Sequence, residues 1–251
     1  MNLEFHLSAF VNAIVYAILG VVILVISFAL WGQNPGYVVG AISNLKLAQL
    51  YYPDWRCRIY CHSEVSHQRQ RELRDAGFDV YQRRSASPND GLFWRFEPAF
   101  DGEVEAFISR DCDSRLNPRE VAAVNEWLAS GKKLHTMRDH YEHIVPILGG
   151  MWGCRHWPEF GPLMDTWMKS GRTGKMGQDQ DFLKEVIWPL VRNDSVAHDL
   201  YTTDTTVPTP NGPFNYRPVE FYGQHDLRPF PKHSPLDEAT HGKHVGARVW
   251  V

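Results

Sequence analysis

The chain has 251 residues, of which 22% are charged, and a formal net charge of −3. Lysines and arginines are interspersed with acids rather than gathered on one stripe, which argues against a nucleic-acid surface and leaves small anionic ligands open. The four cysteines (Cys57, Cys61, Cys112, Cys154) show neither paired Cys-x-x-Cys spacing nor the density of a disulfide scaffold, so they point to a reducing compartment and away from structural zinc.

The length suits one large α/β domain, and no linker divides it. Within residues 9–30 the only strongly polar side chain is Asn12, and a helix of that length would span a bilayer. Residues 21–30, however, are rich in β-branched side chains and read equally as a buried parallel strand ending at the turn Trp31-Gly32-Gln33-Asn34-Pro35-Gly36. The two readings exclude each other for the same residues. If the strand takes the end of the segment, residues 7–20 are too short to span and become an apolar helix on the domain or at a membrane surface. The lack of a basic n-region and of a small-residue cleavage site argues against a signal peptide. The expected division is therefore an apolar N-terminal helix over residues 1–20, followed by a domain over residues 21–251.

Helical spacing follows over residues 37–51, then a short strand over 56–61, a charged helix over 63–76 ended by Gly77, and a strand over 78–81. This alternation is that of a doubly wound sheet. Residues 82–90 are a polar loop that precedes Phe93-Trp94-Arg95-Phe96.

Phe107-Ile108-Ser109-Arg110-Asp111-Cys112-Asp113-Ser114-Arg115 is the most informative run, because it sets two carboxylates two residues apart where an apolar strand meets a polar turn. A hard divalent cation, Mn2+ or Mg2+, takes oxygen ligands from one or two carboxylates and the phosphates of its substrate, so Asp111 and Asp113 are candidate metal ligands. The plainer alternative is a capped turn, since Asp is common between strands and helices. Asn117 and Pro118 then suit the cap and first position of an amphipathic helix, and strand, acidic loop and capped helix are how an α/β sheet presents ligands at its carboxyl edge. Cys112, between the acids, reads as a small buried apolar side chain.

Residues 133–137 read as a further strand, and Arg138-Asp139-His140-Tyr141-Glu142-His143 is a loop dense in polar groups. Residues 146–153 mix glycine with Trp152, which suits a sugar or base pocket and equally suits ordinary packing. A helix begins near Gln178 with acids at its amino end. Residues 202–240 are rich in proline, histidine and polar side chains and read as a long surface loop or lid.

Five segments in this order resemble the nucleotide-sugar-dependent glycosyltransferases of the GT-A fold, particularly bacterial and viral enzymes acting on surface polysaccharide: residues 26–37, Tyr52-Pro53-Asp54-Trp55-Arg56-Cys57-Arg58, Phe93-Trp94-Arg95-Phe96, Ser109-Arg110-Asp111-Cys112-Asp113-Ser114-Arg115, and Gly177-Gln178-Asp179-Gln180-Asp181-Phe182-Leu183. The resemblance implies a Rossmann-like, mostly parallel sheet flanked by helices. It also implies a nucleotide pocket involving Phe28, Leu30, Asn34 and Tyr37, and an acidic motif, Asp111 and Asp113, that binds metal and diphosphate. His244, before Val245 and Gly246, is similar to the histidine that often completes such a metal site. Arg95 and Arg138 are candidates to assist the diphosphate, and Asp179 to act on the acceptor side. The implied partners are a nucleotide-sugar donor and a glycan or other hydroxyl acceptor. Relatives commonly continue beyond the apolar run that ends this chain.

Residues 1–26 loosely resemble the first span of small bacterial inner-membrane proteins. The expected location is cytoplasmic, with association with or anchoring to the inner membrane left open. Two rival classes remain: a nucleotide-diphosphate hydrolase or nucleotidyltransferase using the same acids, and a membrane-tethered carbohydrate-binding or assembly protein without catalysis. The absence of Lys or Arg from the turn after the first strand counts against nucleotidyl transfer.

Overall fold

A computed structural model describes residues 22–85, 87–172, 174–200, 206–207, 214–215, 223, 226–231 and 243–249. The expected N-terminal helix, its boundary with the domain, and most of the expected loop over 202–240 lie outside these residues. Among the described residues no helix is long and apolar enough to cross a membrane.

β1 (Ile23–Leu30) settles which reading of the apolar segment holds for its end: these residues are a strand with Val25, Ile26, Ser27 and Phe28 fully buried. Two flanking layers explain the lack of polar alternation. Val25 packs into one core with Phe107 and Trp152, while Ile26 and Phe28 pack into the opposite core with Leu45, Leu73 and Trp127.

α1 (Pro35–Tyr51) starts where Asn34 accepts a hydrogen bond from the Gly36 N–H and Pro35 opens the first turn. β2 (Trp55–His62), α2 (His67–Ala76) and β3 (Asp79–Arg83) complete the first wing. α2 begins later than the charge pattern suggests, because Ser66 caps it by accepting from the Arg69 N–H. A short helical turn, α3 (Gly91–Trp94), carries Phe93 and Trp94 inward and leads to Arg95.

β4 (Val104–Arg110) enters on the other side of β1, followed by α4 (Pro118–Ser130), capped by Asn117, and β5 (Leu134–Arg138). β6 (Met151–Arg155), α5 (Phe160–Lys169), α6 (Gln178–Phe182), α7 (Trp188–Val191) and β7 (Ser195–Asp199) follow. The two-residue strands β8 (Thr206–Val207) and β9 (Phe214–Asn215) pair with each other, and β10 (Leu227–Arg228) joins the main sheet.

The eight main strands lie in the order β10-β7-β5-β6-β4-β1-β2-β3. β6 runs antiparallel to both its neighbours, and the other pairings are parallel. The chain moves outward from β1 through β2 to β3, then returns to place β4 on β1's other side. That reversal opens a crevice at the carboxyl ends of β1 and β4, where open α/β sheets bind ligands.

The two-residue strands β8, β9 and β10 stand within the residues expected to be a surface loop, β10 as an edge strand of the main sheet, and three longer elements also escape the sequence reading. β6 contains Gly153, a weak strand residue, but a Cβ there would meet Phe107 O at 2.7 Å, so glycine permits close approach to β4. α5 buries Phe160 and Trp167 in the aromatic core around Trp152. β7 looks too polar for an interior strand, yet all five of its residues are buried because His198 and Asp199 have partners in the neighbouring strand.

Candidate active site

A cavity of about 570 Å³ occupies the crevice at the ends of β1 and β4. Three carboxylates (Asp111, Asp113, Asp179) and two guanidiniums (Arg95, Arg248) line it.

Arg95 is the hub. One end of its guanidinium meets Asp111 Oδ1, and the other donates to Asp179 Oδ2 at 2.8 Å. Arg95 and Asp179 are buried, whereas the Asp111 side chain is 45% exposed to the cavity. Burial raises the pKa of Asp179, and the Arg95 charge only partly opposes this. The buried Arg95 Nε has no hydrogen-bond partner.

Burial and the neighbouring Asp111 charge also push the Asp113 carboxyl up, and Arg248, 3.2 Å away, partly offsets them. Two carboxylates held together at this cost form a donor set that a divalent cation would relieve, so the residues fit a hard metal ion.

The acidic turn is fixed by groups far from it in sequence. Asn44 on α1 donates from Nδ2 to Ser114 O at 2.8 Å and accepts at Oδ1 from the Leu116 N–H at 3.1 Å. From the other side the Val249 N–H donates to Asp113 O at 2.7 Å, and Arg115 donates back to Val249 O at 2.9 Å. The floor is Gly149-Gly150: a Cβ on Gly149 would strike the Asp179 and Arg95 side chains, and one on Gly150 would strike Asp111. Ser109, buried on β4, donates to Gly149 O at 2.7 Å and locks floor to strand.

One wall is aromatic. Trp31 stacks on His62 with ring centroids 3.5 Å apart and on Trp94 at 5.5 Å. Tyr37 also faces the cavity, with its hydroxyl pKa raised first by burial and then by Asp113.

Asp111, Asp113, Asp179, Arg95, Leu30 and Tyr37 are thus brought together around one cavity. The other expected site residues are placed elsewhere. Phe28 is buried edge-on against Phe78 in the core, and Asn34 spends its side chain capping α1. Arg138 is fully buried, paired with Asp199 and donating to Pro146 O at 2.7 Å. His244 lies against His140 and His143, its ring stacked on His140 with centroids 4.3 Å apart.

Trp31, Asn44 and Arg248 were not singled out from the sequence. Trp31 follows the first strand directly, a position that faces such a crevice, so that signal was present. Asn44 and Arg248 carry no local signal, because their partners lie 70 and more residues away.

No family model matches the chain, and no curated protein matches it. Similar solved structures include a glycosyltransferase involved in the glycosylation of the major capsid of PBCV-1, at 16% identity and a TM-score of 0.44 over 72% of this chain and 83% of that one. The 4-diphosphocytidyl-2C-methyl-D-erythritol synthase from Anaerococcus prevotii is similar at 8% identity and a TM-score of 0.49, over 78% and 94% of the two chains. S. aureus TarS 1-349 gives 10% identity and a TM-score of 0.45, over 80% and 62%. Likeness of this degree decides nothing about chemistry.

Proposed function

We propose that the chain is a metal-dependent glycosyltransferase that moves a sugar from a nucleotide-diphosphate sugar to a hydroxyl acceptor, in the synthesis of a surface polysaccharide or related glycan. The observation that carries this reading is the Asp111–Arg95–Asp179 bridge at the carboxyl edge of β4, with Asp113 beside it in a cavity large enough for a small-molecule ligand. The order of the five motif segments supports the same reading.

Asp111 and Asp113 would hold Mn2+ or Mg2+, which supplies charge neutralisation for a departing diphosphate. Arg95 offers a planar fork suited to phosphate oxygens. Its link to half-exposed Asp111 is the one that an entering anion and cation can exchange, while its link to buried Asp179 keeps it in place. Trp31 lines the cavity and would pack against a nucleobase there. Asp179, whose raised pKa makes it a better proton acceptor than an ordinary aspartate, would take the proton of the acceptor hydroxyl as the new glycosidic bond forms.

Calorimetric binding of UDP, GDP and their sugar conjugates to the full chain, with Mn2+ and then with chelator, tests this. Binding that needs the metal and is lost in Asp111→Ala/Asp113→Ala is expected. Binding indifferent to chelator and to that variant would favour a carbohydrate-binding protein. Product analysis separates the enzymatic rivals: transfer releases a nucleoside diphosphate only with acceptor, hydrolysis releases products in water alone, and nucleotidyl transfer releases pyrophosphate when a nucleoside triphosphate and a sugar phosphate are supplied instead.

A further inference from the structure

His140 and His143 stand in the loop after β5, and His244 comes from the segment 243–249 about a hundred residues later. Their nearest ring nitrogens all lie within 4.8 Å of one another. Among the described residues this is the only group of three or more His, Cys, Asp and Glu side chains so disposed, and Asp111 and Asp113 do not belong to it. The rings are close-packed, with His143 and His244 centroids 5.2 Å apart and His140 and His143 at 5.5 Å.

We propose that His140, His143 and His244 bind one transition-metal ion of the zinc or cobalt class, at a site separate from the carboxylate pair. Three imidazoles suit such borderline ions and suit Mg2+ poorly, and three protein ligands leave a position for water or another donor. The two strands of chain that bring the ligands together are already braced to each other. Asp139 accepts from the Val245 N–H at 2.9 Å and from both terminal nitrogens of Arg119, at 2.7 and 2.9 Å. Asp139 thus ties the backbone beside His244 to the loop that carries His140 and His143.

Ligation has a definite local cost. Nδ1 of His143 accepts from the Asp139 N–H at 3.1 Å, and Nδ1 of His140 accepts from the Glu142 N–H at 3.3 Å. A neutral ring cannot keep such a bond at Nδ1 and also ligate through Nε2. The ion therefore displaces two hydrogen bonds, the one at His140 being long, and residues 139–143 adjust.

The consequence reaches the cavity, which His143 lines. Residues 248 and 249 hold Asp113, through the Arg248 ion pair and the Val249 N–H. An ion on His244 thus anchors the segment that supports the carboxylate site from outside.

The test uses the full chain stripped with chelator and titrated with Co2+, read by visible absorption, and with Zn2+, read by equilibrium dialysis. The wild type and Asp111→Ala/Asp113→Ala are expected to give the same absorption with one equivalent of Co2+. Any single alanine at His140, His143 or His244 should weaken Zn2+ binding on the order of 100-fold. Wild-type protein that is folded by circular dichroism but gives no Co2+ absorption overturns the proposal, as does binding that persists in His140→Ala/His143→Ala/His244→Ala. If the triple variant fails to fold, the milder His244→Gln decides: undiminished Zn2+ affinity there also overturns it. Mn2+-dependent nucleotide binding is read separately, so loss of either site leaves the other measurable.

Discussion

Gly149 and Gly150 have no room for a side chain because the groups above them are Asp179, Arg95 and Asp111. Gly150→Ala should push the Asp111 carboxylate aside and weaken Mn2+ affinity roughly 10- to 100-fold. The Asp111 side chain is half exposed and can yield, so the melting temperature should move little; calorimetry beside a thermal melt checks both. Arg95 behaves differently because its partner Asp179 is 3% exposed. Arg95→Ala should cost about 3–5 kcal/mol by leaving that carboxylate buried and unpaired, and adding Asp179→Asn should recover a large part of it in a denaturant-melt cycle. Asp179 also sets a pH expectation. Its pKa is raised, so activity should climb with pH through a midpoint above the ordinary aspartate range, and a flat acidic limb in wild-type enzyme would exclude it as the proton acceptor.

At the scale of elements, the acidic turn after β4 is held by α1 rather than by its own strand. Asn44 meets the turn's polar backbone at Ser114 and Leu116. Asn44→Ala should weaken metal binding about 10-fold or more and also cost about 1–3 kcal/mol of stability for each buried group left unpaired at Ser114 and Leu116; Mn2+ titration beside a denaturant melt would show both. The stretch from α6 to α7 is locally irregular for a different reason. Residues 183–187 widen to a π-helical turn just before Pro189, whose ring lacks an N–H and crowds the carbonyl four residues back. The helix expected from Gln178 is thus present but interrupted, with Asp179 in its first turn aimed at Arg95.

For the whole molecule, buried histidines set the response to acid. His135 and His198 share a 2.8 Å hydrogen bond in the sheet, and burial lowers the pKa of both. His143 is lowered to about 3, first by burial and then by His244 and His140. In each case the unfolded chain binds the proton more readily, so the stabilisation is complete above a pH of about 6.5 and is lost as pH falls below it. Each ring contributes a slope of about 1.4 kcal/mol per pH unit in that window. The raised carboxyls of Asp113, Asp179 and Glu120 act in the opposite sense, losing stability as pH rises through their folded values, and so start from a lower pH. Denaturant midpoints of chelator-treated protein should therefore fall steeply from pH 6.5 to 5, and His135→Gln/His198→Gln should flatten that fall. An unchanged slope would show that these rings are already protonated in the fold.

The sequence by itself determined the alternation of β1 to β3 with their helices, the end of the first strand, and the acidic turn with its Asn117 cap. Each of these is encoded by neighbours: apolar periodicity, a capping side chain, a proline at the first helical position. It left two readings open for the first apolar segment, because burial on both faces erases the alternation that would mark a strand. Only the tertiary structure decided that Asp111 and Asp179, 68 residues apart, share Arg95, and that Arg138 is consumed by Asp199 in the core. It likewise brought His244 against His140 and His143, about a hundred residues away in sequence. An arginine's partner is chosen by which strands the sheet sets side by side, and strand order depends on long-range packing that no local pattern records.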